Sequence, residues 1–259
     1  MIKLSPKYYM RILRNITGPY EQKLRRQLES FMSRVYTPAI PRRKSLCKFL
    51  KSKTEVYHCT QYLRKHGYAS HRLSCKDWDI ANIIADLSDG NLLDMGSWDS
   101  YILKNAVIKK LHGEKHGIDL QKPSVAIEGI KYVIGDLLDT RFPDKFFQNI
   151  TCLSVIEHEV SFNKFASEVS RLLLENGKLY LTFDYWMPKI KTDFSIFDKK
   201  WNLLDKNDIL SLIDELHNKN LYLVQEVDWS LEEPVINANY YSPDPNIGYT
   251  FGLLVFQKK

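Results

Sequence analysis

The stretch from Gly90 to Asp119, GNLLDMGSWDSYILKNAVIKKLHGEKHGID, constrains the fold more than any other part of the chain. A short apolar strand around 92–95 runs directly into Gly96, the residue type that a sharp turn or a close backbone contact favours. Apolar residues then recur at a helical period, at 102, 103, 106, 107 and 111. A second strand ends at Asp119. This order predicts a βαβ unit of the kind that binds nucleotide-like ligands.

The rest of the chain continues the alternation of strands and helices. The pattern predicts further strands at 130–134, 149–154, 178–183, 221–227 and 249–257, and further helices at 78–87, 162–173 and 208–216. Because no helix separates the last two strands, we expect them to pair antiparallel. The sequence therefore predicts an α/β fold with a mainly parallel sheet, helices on both faces and an antiparallel final strand.

Charge is distributed unevenly along the chain. Residues 1–53 hold fourteen Lys or Arg and only two Glu, a net charge of +12, so 54–259 carry −6 of the overall +6. We interpret 1–53 as a basic helical N-terminal arm and 54–259 as one domain. The arm either packs on the domain with its charges in solvent, or contacts an anionic surface such as a membrane. It lacks a nucleic-acid-binding motif with interleaved aromatic residues, which disfavours a nucleic-acid partner.

Cysteine usage and hydropathy bear on the class of protein. The four cysteines form no CxxC or Cys/His cluster, which argues against a structural zinc site or a disulfide framework and fits a reducing cytosol. No apolar run approaches the roughly 20 residues that a membrane span needs. We therefore expect a cytoplasmic protein without a metal site.

Five segments, in order, resemble the class I S-adenosylmethionine-dependent methyltransferases. They are LLDMGS at 92–97, GIDL at 117–120, GDLLD at 135–139, ITCLSVIEHE at 150–159 and LLLENGKLYLTFDYW at 172–186. The resemblance runs from about Asp77 to the C-terminus. It implies a Rossmann-like sheet of seven strands with the last one antiparallel, and S-adenosylmethionine as the cofactor.

The resemblance also assigns the methyl donor's contacts. Asp94, Gly96 and Ser97 would hold its amino-acid end, and Asp119 with Leu120 its ribose. Asp136 and Leu137 would hold the adenine, and Ser154 ends the fourth strand beside the donor. The family's turn reads D-x-G-x-G-x-G, whereas Trp98 and Ser100 replace its second and third glycines here. A tryptophan at this point either covers the donor or crowds it.

The acceptor site is predicted from the ends of the fourth and fifth strands and from the insert between the last two strands. His158 is the first candidate for a catalytic base, since its ordinary pKa is near neutral, and Asp184 is the second. The candidate acceptor contacts are Glu157, Tyr185, Trp186, Trp229, Tyr240 and Tyr241. Alternatively, Glu157 and His158 are structural, or Glu157 and Asp184 hold a cation.

Aromatic, carboxamide and acidic side chains together suit a polyhydroxylated small molecule. The later segments are DYW at 184–186, WN at 201–202, DWS at 228–230, EP at 233–234 and YTF at 249–251. They resemble those of uncharacterised methyltransferases associated with bacterial surface-glycan pathways. We therefore predict O-methylation of a sugar or glycan precursor. The alternative is a non-catalytic binding or assembly protein on the same scaffold. A dehydrogenase is disfavoured because G-x-G-x-x-G is missing. The sequence does not indicate an oligomeric state.

Overall fold

The computed structural model describes residues 45–192, 195–196, 199–237 and 247–259. Most of the predicted basic arm falls on 1–44, outside the described residues, so the arm and its membrane contact stay predictions. Strand β1, Lys48–Phe49, pairs antiparallel with the final strand, β11, Gly248–Lys258. The sheet therefore includes residues that precede the predicted boundary at 54.

Nine of the described strands form one sheet, and β7 and β8 form a separate antiparallel pair. The strands between β1 and β11 are β2 Leu92–Met95, β3 Lys115–Asp119, β4 Ile130–Ile134, β5 Phe147–Leu153, β6 Leu173–Tyr185, β7 Ser195–Ile196, β8 Lys199–Lys200, β9 Leu221–Leu223 and β10 Ile236–Asn237. The continuous order is β1-β11-β6-β5-β2-β3-β4, and β9 and β10 also pair with β11.

The predicted directions of the strands are confirmed. Strands β4, β3, β2, β5 and β6 are parallel to one another, and β11 is antiparallel to both β6 and β9. The predicted seven strands are present, with short β1 and β10 in addition. Strand β9 ends at Leu223 rather than at Val227, because β1 takes the next part of the same edge of β11, opposite Gly252 and Leu253.

Helices cover both faces of this sheet. They are α1 Lys53–Lys65, α2 Asp77–Asp86, α3 Tyr101–Ile108, α4 Phe162–Leu172 and α5 Lys206–His217. Neighbouring residues of a strand point to opposite faces, so Leu92 packs in the core beneath α1–α3 and Leu93 in the core beneath α4 and α5. No helix in the described part of the chain is long and apolar enough to cross a membrane.

Strand β2 marks the position of a ligand site. The chain leaves β2 towards β3 on one side and later returns as β5 on the other side, so Asp94 lies between Gly117 and Thr151. In open α/β sheets, ligands bind at the carboxyl ends of the strands where the strand order reverses in this way. The fold thus directs attention to the residues that follow β2, β3 and β5.

Candidate active site

The turn after β2 is built around Gly96, which adopts a φ of +80°. A Cβ atom at this position would lie 2.3 Å from Cγ2 of Val155, so the turn has no room for a side chain. The backbone N–H groups of Gly96 and Ser97 both donate to the carbonyl oxygen of Ile118, at 2.9 and 3.2 Å. These bonds hold the turn against the end of β3.

The two replaced glycines are explained by the geometry of the turn. Neither Trp98 nor Ser100 adopts a positive φ, so neither position requires glycine. Ser100 is the N-cap of α3, where its hydroxyl accepts a hydrogen bond from the N–H of Leu103 at 2.9 Å. Its side chain therefore begins the helix.

Asp94 is buried within β2 and is 4% exposed. Its Oδ1 accepts a hydrogen bond from Oγ1 of Thr151 on β5 at 2.5 Å. Burial raises the pKa of Asp94 to about 7; the Asp119 carboxylate adds to this, and hydrogen bonds from Ser100 and Thr151 oppose it. Asp94 is therefore poised between its two protonation states at neutral pH, and a bound cation would favour the ionised one.

Asp119, at the end of β3, is oriented by two backbone donors. Its Oδ2 accepts from the N–H of Trp98 at 3.0 Å, and its Oδ1 from the N–H of Gln121 at 3.1 Å. A carboxylate has about four acceptor positions, so two hydrogen bonds leave capacity for a ligand. The side chain thus suits the two hydroxyls of a ribose.

The next strand end contributes Asp136. The N–H of Gly135 donates to the carbonyl oxygen of Asp119 at 2.9 Å, and Oδ1 of Asp136 accepts from the N–H of Leu138 at 2.8 Å. Leu120 is 63% exposed, an apolar side chain available to a planar ligand. Asp119 and Asp136 consequently lie along one wall.

A cavity of about 600 Å³ follows this edge of the sheet. Small-molecule sites commonly have volumes of roughly 300–1,000 Å³. We call the part formed by the ends of β2, β3 and β4 the donor end, which includes Asp94, Gly96, Trp98, Asp119 and Asp136. We call the part formed by β5, β6 and β11 the acceptor end, which includes Lys76, Ser154, His158, Asp184 and Phe251.

Ser154 and Lys76 meet at the acceptor end. Ser154 has a φ of +51°, a left-handed conformation that residues with side chains seldom adopt and that clusters at ligand sites. Its hydroxyl accepts a short hydrogen bond from Nζ of Lys76. Nζ also lies 3.2 Å from Oδ2 of Asp79 and 3.9 Å from the centroid of the Phe251 ring.

Three buried carboxyl groups surround this ammonium group: those of Asp79, Glu157 and Asp184. Oδ2 of Asp184 accepts from Nε1 of Trp201 at 2.9 Å. Four carboxyl oxygens are buried without a hydrogen-bond partner among the described residues: Oδ1 of Asp184, Oδ1 of Asp79 and both oxygens of Glu157.

This arrangement sets the charges at the acceptor end. Burial raises the pKa of Asp184 to about 6, so its carboxylate is ionised at neutral pH. Burial, with Asp184 adding to it, raises the pKa of Glu157 well above its usual range, and the charge of Lys76 opposes this rise. Burial alone would lower the pKa of Lys76, but Asp79, Asp184 and Glu157 outweigh it and raise the pKa, so the amine stays charged.

His158 lies in the turn after β5 and is half-buried. Burial, followed by the charge of Lys76, lowers the pKa of His158, and a hydrogen bond with the backbone of Lys200 partly offsets the shift. The imidazole is therefore neutral at neutral pH and can accept a proton. His158 and Asp184 both border the cavity in their basic forms.

The structure brings most of the predicted site residues to one cavity. Those that line it are Asp94, Gly96, Asp119, Leu120, Asp136, Leu137, Ser154, Glu157, His158 and Asp184. Ser97 packs behind the wall, where its Oγ would be 2.5 Å from a Cβ atom on Gly117.

Three of the predicted acceptor contacts lie away from the described cavity wall. The Tyr185 and Trp229 rings pack against Phe49 of β1, at centroid distances of 4.3 and 5.4 Å, and Trp186 packs against the core. The sequence pattern could not show that β1 folds onto these aromatics. Tyr240 and Tyr241 lie outside the described residues.

Sequence reasoning missed several residues that form the acceptor end. Lys76 and Phe251 are far apart in the sequence, and Asn237 of β10 also lines the cavity. Only Lys76 had a local signal, since it stands at the start of a helix where a positive charge is unfavourable. Among the described residues, no group of three His, Cys, Asp or Glu side chains is arranged to hold a metal ion.

Comparison with known proteins agrees with this geometry. Residues 93–181 match a family model described as a methyltransferase domain. That segment begins at the second residue of β2, includes the turn at Gly96 and ends within β6. No curated protein matches the sequence.

Solved structures share the fold at low sequence identity. A chain in the complex of the Haloferax volcanii Trm112 methyltransferase activator with a methyltransferase aligns at 15% identity and a TM-score of 0.50, over 76% of this chain and 94% of that one. A second match is Burkholderia thailandensis 1,6-didemethyltoxoflavin-N1-methyltransferase with bound 1,6-didemethyltoxoflavin and S-adenosylhomocysteine. It aligns at 12% identity and a TM-score of 0.51, over 70% of this chain and 76% of that one. The (4+2)-cyclase SpnF aligns at 14% identity and a TM-score of 0.50, over 82% of this chain and 98% of that one.

The family match, the strand order and the residues of the donor end all indicate the same cofactor. S-adenosylmethionine is the cofactor, and its ammonium group and ribose diol suit the carboxylates of Asp94 and Asp119. Residues 93–181 therefore form a methyltransferase domain, and the sheet to which they belong has the Rossmann-like class I methyltransferase fold.

Proposed function

We propose that this protein transfers the methyl group of S-adenosylmethionine to a hydroxyl group of a small polyhydroxylated acceptor, such as a sugar or glycan precursor. The observation that carries the proposal is the presence of His158 and Asp184, two candidate bases in their basic forms, at the acceptor end. A hydroxyl nucleophile needs such a base, because its proton must be removed during methyl transfer.

The donor end has the residues that the cofactor requires. Asp94 would hold the ammonium group, Asp119 the ribose hydroxyls and Asp136 the adenine amino group. Gly96 lets the backbone approach the ligand closely. These groups would place the methyl carbon towards Ser154 and the acceptor end.

The reaction follows from these positions. S-adenosylmethionine supplies a methyl carbon that is already activated by the positive sulfur. His158 accepts the hydroxyl proton while the acceptor oxygen forms a bond to the methyl carbon and the carbon–sulfur bond breaks. S-adenosylhomocysteine, a methyl ether and protonated His158 result. Asp184 is the second candidate for the same proton, and the walls exclude water and orient the two substrates.

The composition of the acceptor end supports a small polar acceptor. Asn237, Glu159 and Lys199 line it alongside the candidate bases, and they supply both donors and acceptors of hydrogen bonds. The Burkholderia structure holds a small-molecule acceptor on the same fold.

The test is methyl transfer from labelled S-adenosylmethionine to a panel of sugars and polyols. We expect His158→Ala to slow transfer by about 100-fold or more, the usual contribution of a general base, with unchanged donor affinity. His217→Ala is the matched control, because His217 also has a buried, unpartnered ring nitrogen but lies on α5 outside the cavity wall. A wild-type rate in His158→Ala would remove His158 as the base.

The alternative is a binding or assembly protein that keeps the fold without methyl transfer. The match to a cyclase shows that this fold also serves another reaction. Calorimetry with S-adenosylmethionine and S-adenosylhomocysteine separates the two, since a folded protein that binds neither would support the alternative.

A further inference from the structure

Lys76 breaks a local rule of helix structure. It ends a short 3-10 turn, Ser74–Lys76, that leads directly into α2, so it lies at the N-terminal end of that helix. A positive charge at this end opposes the helix dipole. The side chain is also only 20% exposed. Violations of this kind are expected mainly at functional sites.

The contacts of Lys76 join four elements at the acceptor end. Nζ donates to Ser154 at the end of β5, pairs with Asp79 of α2 and lies over the ring of Phe251 on β11. The carboxyl group of Asp184 on β6 also acts on it. Among the described residues, the other titratable groups that act on Lys76 are Cys75 and Glu157. The charge of Lys76 in turn lowers the pKa of His71 and of His158.

We propose that Lys76 is a positioning residue for methyl transfer, which fixes the end of β5 through Ser154 and supplies positive charge to the candidate bases His158 and Asp184. This inference rests on the proposed function. Lys76 itself keeps its proton, so it acts through its neighbours.

Two physical effects support this role. The hydrogen bond to Ser154 helps to hold a backbone conformation that would otherwise relax, because φ at that position is left-handed. The ammonium charge opposes protonation of nearby groups. Together with burial, it lowers the pKa of His158. Burial raises the pKa of Asp184, and the ammonium charge partly offsets that increase. Both candidate bases therefore depend on the same charge.

The test uses the histidine side chains as reporters and needs no acceptor. Long-range ¹H–¹⁵N NMR gives the titration midpoint of each imidazole in the full-length protein, and His158→Asn assigns the His158 signal. The variants are Lys76→Met, which removes the charge, and Lys76→Arg, which keeps it. Lys178→Met is the matched control, because Lys178 is similarly half-buried and pairs with Asp86 at the other end of β6.

We expect the His158 midpoint to move to higher pH in Lys76→Met, to return towards the wild-type value in Lys76→Arg and to stay unchanged in Lys178→Met. An unchanged midpoint in a folded Lys76→Met protein overturns the proposal. So does an equal rise in Lys76→Met and Lys76→Arg, because structural loosening rather than charge would then be responsible.

If Lys76→Met fails to fold, Lys76→Gln replaces it, since its amide can still donate to Ser154. Donor affinity is measured on the same samples by calorimetry. Failure to find a methyl acceptor would count against the proposed function and leave these titrations interpretable.

Discussion

Gly96→Ala is the substitution whose effect the structure predicts in most detail. An alanine there faces two separate penalties: a φ of +80° and a Cβ atom 2.3 Å from Cγ2 of Val155. Ordinary carbon contacts are about 3.5–4.0 Å long, so the turn or Val155 must move by roughly 1.2–1.7 Å. The turn also lines the donor end of the cavity.

The two penalties have different sizes. A left-handed conformation costs a residue with a side chain about 1–2 kcal/mol, and overpacking costs about 1–3 kcal/mol. We therefore expect Gly96→Ala to lower the free energy of unfolding by about 2–5 kcal/mol. For a protein of this size, each kcal/mol lowers Tm by about 2–4 °C. Loss of one hydrogen bond to the donor would add roughly a fivefold loss of affinity, since such a bond contributes about 1 kcal/mol.

Gly129→Ala separates the clash from the backbone strain. Gly129 has a φ of +83°, nearly that of Gly96, but a Cβ atom there would meet nothing within 4 Å. Urea unfolding of both variants and of the wild type gives the two losses, and calorimetry with S-adenosylmethionine gives the affinities. Gly96→Ala should lose about 1–3 kcal/mol more than Gly129→Ala, the overpacking cost. Equal losses would refute the packing argument.

Two further predictions concern the carboxylates of the donor end. Asp119→Ala should weaken binding of S-adenosylmethionine by at least about 150-fold in calorimetry, because two hydrogen bonds to a charged group contribute about 1.5 kcal/mol or more each. The exposed Asp139→Ala is its control, and unchanged affinity in Asp119→Ala would remove the ribose role. Donor binding should also release a proton at pH 6–7 but not at pH 9, since the pKa of free Asp94 is about 7 and the donor's ammonium group lowers it. Calorimetry in buffers of different ionisation enthalpy measures the release, which should vanish in Asp94→Asn; equal release at both pH values would contradict the assignment.

The order of strands and helices could be predicted because each element has a strong local pattern. The βαβ unit around Gly96 and the antiparallel final strand follow from periodicity and connection length alone. The edge of the sheet could not be predicted in the same way. Strand β1 has two residues and pairs with β11 some two hundred positions later, so no local pattern indicates it.

The candidate site also has a part that local sequence patterns predict and a part that they do not. Asp119 is the last residue of β3 and Asp136 follows β4 by two residues, so predicting these strands also placed both carboxylates at the cavity. The acceptor end combines Lys76 with Phe251, residues that only the tertiary fold brings together. The rings of Tyr185 and Trp229 pack against Phe49 instead of lining the cavity, and Phe49 is distant from both in the sequence.

Three unfavourable local features meet at the acceptor end. Ser154 adopts a left-handed conformation, Lys76 stands at a helix N-terminus, and the Glu157 carboxyl group is buried without a described partner. A charge opposed to the helix dipole costs about 0.3–1 kcal/mol, and the other two features cost about 1–3 kcal/mol each. Better-suited residue types exist for every one of the three positions. A requirement for stability alone would not place all three around one cavity. Their convergence beside His158 and Asp184 is instead what chemistry at this end of the sheet would require, because charge, burial and strain together set the protonation and position of a base.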